Sequence, residues 1–293
     1  MNQYQGPRRI VCLTAETAET LFLLGEDRRI VGISGFTSRP KEVLQKPRIS
    51  TFTSAKIEQI LELQPDLVIG FSKLQAQIAH DLIKAGVTVL VFNQRSVEEV
   101  LESILTVSRL VAVESRGLAL VEQLQSELTH IAESACRFPR RPRVFFEEWM
   151  DPLISGIRWV EELIEIAGGQ NVFPHLRQER DAKRRTVTPD MVIAANPEVI
   201  LASWCGRKVD KQKIRAREGW ASVSAVHAGH IYELKSSYIL QPGPASLTEG
   251  ARQLHAILAH VVNAEPAEGL APSEALDPAL DANAGERPEE LPA

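Results

Sequence analysis

Two neighbouring carboxylates and a tryptophan, Glu147, Glu148 and Trp149, follow the apolar stretch "VFF". A pair of carboxylates can act as general acid and base, hold a metal ion or form one wall of a binding pocket. Successive side chains of a β-strand point to opposite faces, so these two glutamates cannot both reach one reacting bond. We therefore interpret them as one surface or salt-bridged acid and one acid at the rim of a pocket.

Cys205, His227 and His230 are the other candidates for catalysis. A Cys/His pair could supply a nucleophile and its base, but a buried structural thiol with two surface histidines fits the sequence better. The chain contains no G-x-S-x-G, P-loop, G-x-G-x-x-G or H-E-x-x-H motif, and its histidines lack metal-ligand spacing. We predict that the protein is not an enzyme and has no catalytic residue, metal site or resident cofactor.

The first third of the chain alternates strand and helix patterns. "RRIVCL", "RRIVGIS", "DLVIGF" and "VTVLVF" read as strands, and "AETAETLFLLG" and "LQAQIAHDLIKAG" read as helices that end at glycines. Such alternation predicts a mainly parallel sheet with helices on its faces. We assign residues 1–95 to an N-terminal α/β lobe.

The alternation stops between Ser96 and Glu133, where apolar residues recur every three or four positions. Ser96 is a good N-cap because Glu99 follows three residues later. The pattern predicts one long linking helix over residues 96–135, bent near Gly117. At about 1.5 Å per residue it would extend roughly 50 Å.

The second half repeats the plan of the first. "KIEQILELQPDLVIGF" and "DMVIAANPEVILASW" each contain an amphipathic helix, a Pro-acid break, a buried strand and a final aromatic residue. We assign residues 136–263 to a C-terminal α/β lobe. The predicted fold class is α/β, with two similar lobes of mainly parallel sheets joined by one long rigid helix.

The net charge of -5 comes from the end of the chain. Residues 264–293 are rich in Pro, Ala and Glu and carry eight acids with one base, so we predict a disordered acidic tail. The rest is nearly neutral, which excludes a nucleic-acid partner. No run reaches the roughly 18 apolar residues that span a bilayer, so no membrane insertion is expected. We also expect a monomer.

The beginning of the chain shows no apolar core of a secretion signal. The expected location is therefore cytoplasmic for the sequence as given, and periplasmic if a signal peptide was removed. Cys12, Cys136 and Cys205 are far apart in sequence and odd in number, which argues against a disulfide framework.

In parallel sheets, ligands bind beyond the carboxyl ends of the strands. The predicted ends carry aromatic and small polar side chains, an arrangement typical of a pocket for a bulky ligand. In "YILQPGPASLTEG", Pro242 and Pro244 make the backbone rigid and hold Tyr238 and Gln241 in place. Ser246 and Glu249 are expected to form a capping box there.

The sequence resembles the class III solute-binding proteins, the cobalamin and iron-chelate receptors of ABC importers. The resemblance covers residues 8–262 and rests on "RIVCLTAETAETLFLLG", "KIEQILELQPDLVIGF", "SGIRWVEELIEIAGGQNVF" and "NPEVILASW". "EEWMDPLISG", "SWCG", "REGW" and "ILQPGP" are similar to a signal-less subgroup labelled cobalamin-binding. The resemblance implies a ligand clamped between two lobes. The residues expected to line the site are Phe36, Phe71, Glu148, Trp149, Trp204, Tyr238 and Gln241.

The resemblance also implies an ABC permease as partner, contacted through an exposed glutamate on each lobe. At the corresponding positions this chain has Gln75 and Gln77 on the first lobe and a basic stretch, 206–217, on the second. The leading hypothesis is thus a non-catalytic binding protein for a corrinoid or similar large metal chelate. The alternatives are an importer receptor for cobalamin, haem or an iron-siderophore, and an enzyme that modifies such a ligand through Cys205 or Glu148.

Overall fold

The computed structural model describes residues 6–263, and the predicted tail lies outside these residues. The chain divides into two compact units. The N-terminal lobe comprises Met1–Thr129, Arg158–Glu162 and Ser237–Glu249, and the C-terminal lobe comprises His130–Ile157, Leu163–Ser236 and Gly250–Ala293. Two segments from late in the sequence, 158–162 and 237–249, thus belong to the N-terminal lobe. The domain boundaries expected at residues 95 and 136 stay predictions.

The N-terminal lobe is built on a five-stranded parallel sheet of order β3-β2-β1-β4-β5. Its strands are β1 (Ile10–Cys12), β2 (Ile30–Ser34), β3 (Arg48–Ser50), β4 (Leu67–Phe71) and β5 (Val89–Phe92). Its helices are α1 (Ala15–Leu23), α2 (Ile57–Glu62), α3 (Ala76–Lys84) and α4 (Val97–Leu110). The predicted alternation of strands and helices is confirmed.

Alternate residues of β1 pack into two cores, one on each face of the sheet. Ile10 and Cys12 join a cluster that includes residues of α1 and α4. Val11 joins a second cluster with residues of α2 and α3. Because both faces are covered, β1 and β4 are buried along their whole length.

The predicted linking helix is two helices, α4 and α5 (Glu114–Ala135), so the expectation of one continuous helix was wrong. The chain breaks at Ala112, whose φ of 59° lies in the left-handed region. Gly117 does not bend the helix. It lies inside α5, where a Cβ would collide with Ser108 of α4. The glycine therefore permits close packing of the two helices.

The C-terminal lobe has strands β6 (Arg143–Met150), β7 (Leu153–Ser155), β8 (Gln170–Asn171), β9 (Val199–Ala202) and β10 (Ile231–Glu233). The sheet order is β10-β9-β6-β7, and β8 also pairs with β6. Only β7 runs antiparallel among these pairs. The helices along this part of the chain are α6 (Arg158–Ile166), α7 (Pro189–Ala195), α8 (Lys211–Arg215), α9 (Ser224–Ala228), α10 (Ser236–Ile239) and α11 (Ala251–Val261).

The repeated plan of the two halves is visible in the sheets. In each lobe a short helix, α2 or α7, leads through the Pro-acid break into a fully buried strand, β4 or β9. That strand pairs in parallel with the strand that opens its sheet, β1 or β6. The α/β class with mainly parallel sheets is confirmed.

Gly117→Ala tests the close packing of α4 and α5. Alanine favours a helix by ~1 kcal/mol over glycine, but the collision with Ser108 should cost ~1–3 kcal/mol, so the melting temperature should fall. Ser126→Ala, an exposed change in the same helix, is the control and should leave the melting temperature unchanged. A higher melting temperature for Gly117→Ala would show that the helices do not approach so closely.

Candidate ligand-binding site

The end of β6 carries both glutamates and Trp149, and its pairing with β7 is irregular between Glu147 and Trp149. Such a bulge redirects the side chains that follow it. Glu147 is fully buried, whereas Glu148 and Trp149 are partly exposed. The two carboxylates bind different arginines, so they form two separate ion pairs.

Glu147 forms a buried ion pair with Arg217. The Arg217 guanidinium donates to both carboxylate oxygens, at 2.6 and 2.8 Å. Trp204 Nε1 donates a third hydrogen bond, at 3.2 Å, to the same carboxylate. Because burying an unpaired carboxylate is costly, these three donors are what keep Glu147 inside the lobe. Arg217 in turn stacks over Trp220, 4.5 Å from the ring centre.

Glu148 likewise forms a bidentate ion pair with Arg185. The guanidinium of Arg185, of which 1% is exposed, donates to the carboxylate oxygens at 2.6 and 3.0 Å. Arg185 also donates to the Ser155 carbonyl, and the Ser155 hydroxyl donates to the Arg185 carbonyl at 3.1 Å. The pair thus fixes the segment around Arg185 against β7 and the end of β6.

Trp149 is the predicted aromatic residue that remains accessible on the C-terminal lobe. Its indole N–H donates to the Asp151 carbonyl at 2.9 Å, which sets the orientation of the ring. The guanidinium of Arg207, an exposed residue, lies 5.7 Å from the ring centre. The lobe therefore holds a partly exposed aromatic ring in a fixed orientation, with a cation over the ring.

Trp204 is placed differently. Only 3% of it is exposed, and it packs in the hydrophobic core with Phe145, Val209 and Trp220. Its indole N–H supports Glu147, as described above. The ring therefore contributes to the core beneath the end of the sheet, and its contact with a ligand stays a prediction.

Cys205 and the nearby histidines do not form a nucleophile pair. In residues 6–263, neither His227 nor His230 makes a hydrogen bond to the thiol. Although Cys205 as a residue is exposed, burial of its thiol raises the pKa, and the charge of Glu148 adds to the shift. A thiol with a raised pKa stays protonated and is a poor nucleophile.

On the N-terminal lobe, Phe71 ends β4 and is 4% exposed. The Arg95 guanidinium lies 4.7 Å from its ring centre, and the Phe52 ring centre lies 6.4 Å away. Ser72, the next residue, has a φ of 64°, a conformation that costs energy for a residue with a side chain. Its hydroxyl accepts a hydrogen bond from Leu74 N at 3.2 Å, which offsets part of that cost.

Gln75 and Gln77, the residues at the expected docking position, have unlike environments. Gln75 is fully buried, accepts from Phe71 N at 2.8 Å and donates to the carbonyls of Leu13 and Phe52. It holds the ends of β1 and β4 together and is not available to a partner. Gln77 is exposed and donates to Asp81.

Phe36 lies in the turn after β2 and is partly exposed. The Ser34 hydroxyl accepts from Phe36 N at 3.3 Å, and the Ser34 carbonyl accepts from Thr37 N at 3.0 Å. Three residues beyond Phe36, Arg39 bonds to Glu19 of α1. The turn is thus fixed at both ends.

Tyr238 and Gln241 are both partly exposed in the N-terminal lobe. The Arg39 guanidinium lies 5.4 Å from the Tyr238 ring centre. The expected capping box is absent, because the Ser246 hydroxyl donates to the Gly243 carbonyl and Glu249 pairs with Arg39. Ser246–Gly250 forms a turn of π-helix in its place.

Two glutamates of α1, Glu16 and Glu19, are buried next to this segment. Burial raises the pKa of Glu16 to about 7, partly opposed by hydrogen bonds from its own backbone and Thr14. Burial also raises the pKa of Glu19 to about 7, although the Arg39 charge lowers it. Both carboxyls therefore titrate near neutral pH.

Sequence reasoning missed Arg185 and Arg217, which pair with Glu148 and Glu147. The aromatic contacts with a ligand stay predictions. Arg217 lies in the basic stretch 206–217, and no periodicity distinguishes it or Arg185 from the neighbouring bases. The only available signal was indirect: two acids at the end of a buried strand require cationic partners. No group of three metal-binding side chains occurs in the described part of the chain.

The sequence pattern of the family described as "Periplasmic binding protein" matches residues 10–238. The chain belongs to this family. It is 26% identical to an uncharacterised ABC transporter substrate-binding lipoprotein of Bacillus subtilis, over 85% of this chain and 79% of that protein. It is 25% identical to the vitamin B12-binding protein of Vibrio parahaemolyticus, over 82% of this chain and 85% of that protein.

Solved structures show the same fold. The periplasmic haem-binding protein of Roseiflexus has a TM-score of 0.71 and 25% identity, with 86% of this chain and 100% of that chain covered. These relatives are substrate-binding proteins and not enzymes. The predicted fold of the class III solute-binding proteins is confirmed. The prediction that the chain belongs to a family of binding proteins and not of enzymes is confirmed by the family match and the relatives.

Arg217→Met tests the buried ion pair. Methionine removes the charge that compensates Glu147, and stranding a buried carboxylate in this way costs ~3–5 kcal/mol. The free energy of unfolding, measured with urea, should fall by that amount. Arg215→Met, an exposed neighbour in the same segment, is the control and should change it little. Equal effects of both substitutions would contradict the structure.

The pKa values of Glu16 and Glu19 predict how stability varies with pH. In the folded state the pKa of each carboxyl is about 7, above its ordinary value of 4.5. The contribution of these groups to the free energy of unfolding therefore falls as the pH rises from about 4.5 to about 7. Glu16→Gln should therefore stabilise the protein at pH 8 and much less at pH 5. Glu58→Gln, at an exposed site, is the control. An equal gain at both pH values would refute the shift.

Proposed function

We propose that the protein binds a corrinoid or a similar large, flat metal chelate and releases it unchanged. The observation that carries this proposal is the partly exposed ring of Trp149 near the end of β6, fixed by its hydrogen bond to Asp151 and with Arg207 over the ring, in a chain of this family. A macrocycle can stack on such a ring, at a gain of about 1 kcal/mol beyond area burial. The vitamin B12-binding and haem-binding relatives support this ligand class.

The proposed contacts on the N-terminal lobe are Phe36, Phe71, Tyr238 and Gln241. Three of them are partly exposed, and Phe71 is nearly buried, so Phe36 and Tyr238 are the main aromatic contacts there. On the C-terminal lobe Trp149 is the main contact, and Glu148 adds a carboxylate that is fixed by Arg185. The expectation that the ligand is clamped between the lobes stays a prediction. A chelate brings its own metal, so this proposal requires no metal site in the protein.

The partner that the relatives support is the permease of an ABC importer, because one of them is an ABC transporter substrate-binding lipoprotein. No helix of the described residues is both long and apolar enough to cross a membrane. The burial of Gln75 and the exposed basic residues of the stretch 206–217 favour a second candidate, a carrier that docks on no such permease. The cytoplasmic location expected from the sequence stays a prediction.

Trp149→Ala and Trp204→Ala together test which ring contacts the ligand. Removing Trp149 should weaken binding of cobalamin or haem ten-fold or more, which is ~1.4 kcal/mol. The melting temperature should fall less than in Trp204→Ala, because Trp149 is only partly buried against the core. Removing Trp204 should instead cost ~3–5 kcal/mol of stability, because the ring fills the core. Tryptophan fluorescence quenching gives the affinities, and calorimetry gives the melting temperatures.

The controls separate loss of folding from loss of binding. Trp204→Phe keeps an aromatic ring in the core and should bind nearly as well as the wild type. If Trp149→Ala binds each chelate with unchanged affinity, the ring is not a ligand contact. If the wild type binds neither cobalamin, haem nor a ferric siderophore, the proposed function is wrong.

A further inference from the structure

We propose that Arg39 is a positioning residue: it holds in place the ligand contacts that the proposed function assigns to the N-terminal lobe. This inference rests on the proposed function. It holds the segment 238–249, which carries Tyr238 and Gln241, against α1. It also fixes the turn that carries Phe36. In this way one side chain sets the places of the two main aromatic contacts of the lobe.

The contacts of Arg39 reach three parts of the lobe. Its Nε lies 2.9 Å from Glu19 Oε1 on α1. Its two terminal nitrogens each lie 3.1 Å from an oxygen of Glu249. Its guanidinium also lies over the Tyr238 ring. Only 26% of the Arg39 side chain is exposed, so these contacts form in a partly desolvated place where charge interactions are strong.

Glu19 completes the connection from the other side. Its second oxygen accepts from Ala245 N at 3.3 Å, so one carboxylate bonds both Arg39 and the backbone of the segment. Gly243 lies so close to α1 that a Cβ there would be 3.2 Å from Glu16 Cα. The segment is therefore pressed directly onto the helix, and Arg39 connects its two ends, Tyr238 and Glu249.

Two other hydrogen bonds hold the backbone of the segment but do not involve the side chains of Tyr238 and Gln241. Gln94 Nε2 donates to the Pro242 carbonyl at 3.0 Å, and Trp159 Nε1 donates to the Ile239 carbonyl at 2.9 Å. Without Arg39 these bonds keep the segment in the lobe. The Tyr238 ring and the Phe36 turn, however, lose the group that links them. Loss of Arg39 should therefore impair binding more than folding.

A lysine cannot replace this arginine. The three nitrogens of the planar guanidinium contact the carboxylates of Glu19 and Glu249, and the same group lies over the Tyr238 ring. Lysine offers only a single point charge. Arg39→Lys should therefore recover most of the stability lost in Arg39→Ala, but not the ligand affinity. A purely structural role would recover both together.

The experiment compares wild type, Arg39→Ala, Arg39→Lys and Glu249→Gln, with Arg28→Ala as an exposed arginine control. Haem and cobalamin titrations should show at least a ten-fold loss of affinity for Arg39→Ala, a similar loss for Arg39→Lys, an intermediate loss for Glu249→Gln and none for Arg28→Ala. Melting temperatures measured alongside show that the variants are folded. An affinity of folded Arg39→Ala within two-fold of the wild type overturns the proposal.

Hydrogen exchange without ligand separates this proposal from the proposed function. Amides of residues 237–249 should exchange faster in Arg39→Ala than in the wild type, while those of β1 and β4 stay protected. If the wild type binds none of the chelates, the proposed function fails and the exchange result still decides whether Arg39 holds the segment. Unchanged exchange across 237–249 overturns the positioning role.

Discussion

Carboxylates paired with arginines are the constraint on which the proposed binding surface depends. Glu147 and Glu148 lie near the end of β6 in the C-terminal lobe, and the buried carboxylate of Glu147 would be too costly to keep without a partner. Their partners, Arg217 and Arg185, come from segments far along the chain. Forming the two pairs therefore fixes these segments near the end of the sheet, where the Trp149 ring is partly exposed.

The N-terminal lobe uses the same principle with other residues. Arg39 bridges Glu19 and Glu249, and the buried amide of Gln75 joins the ends of β1 and β4. In both lobes, long-range polar contacts fix the loops that follow the strands. A surface fixed before the ligand arrives loses less conformational entropy on binding, which favours affinity for a rigid macrocycle.

The sequence predicted the α/β architecture because hydrophobic periodicity and helix-capping residues are local signals. Ser96, for example, caps α4 through Glu99 N as its spacing indicates. The break at Ala112 was not predictable, since alanine is a good helix former and rarely adopts the left-handed conformation found there. Trp149 and Trp204 looked alike because both follow strands. Their different burial depends on how the chain after Trp204 folds back over the sheet, which no local pattern records.

The visible absorption spectrum of the protein purified without added ligand tests the central claim most directly. Corrinoids, haem and ferric chelates absorb distinctively, so a protein that binds one of them should carry a chromophore band in about one-to-one amount. The released chromophore should have the same mass as the free compound, since the protein does not modify it. A colourless protein whose absorption and fluorescence remain unchanged on titration with cobalamin, haem and ferric siderophores would contradict the account.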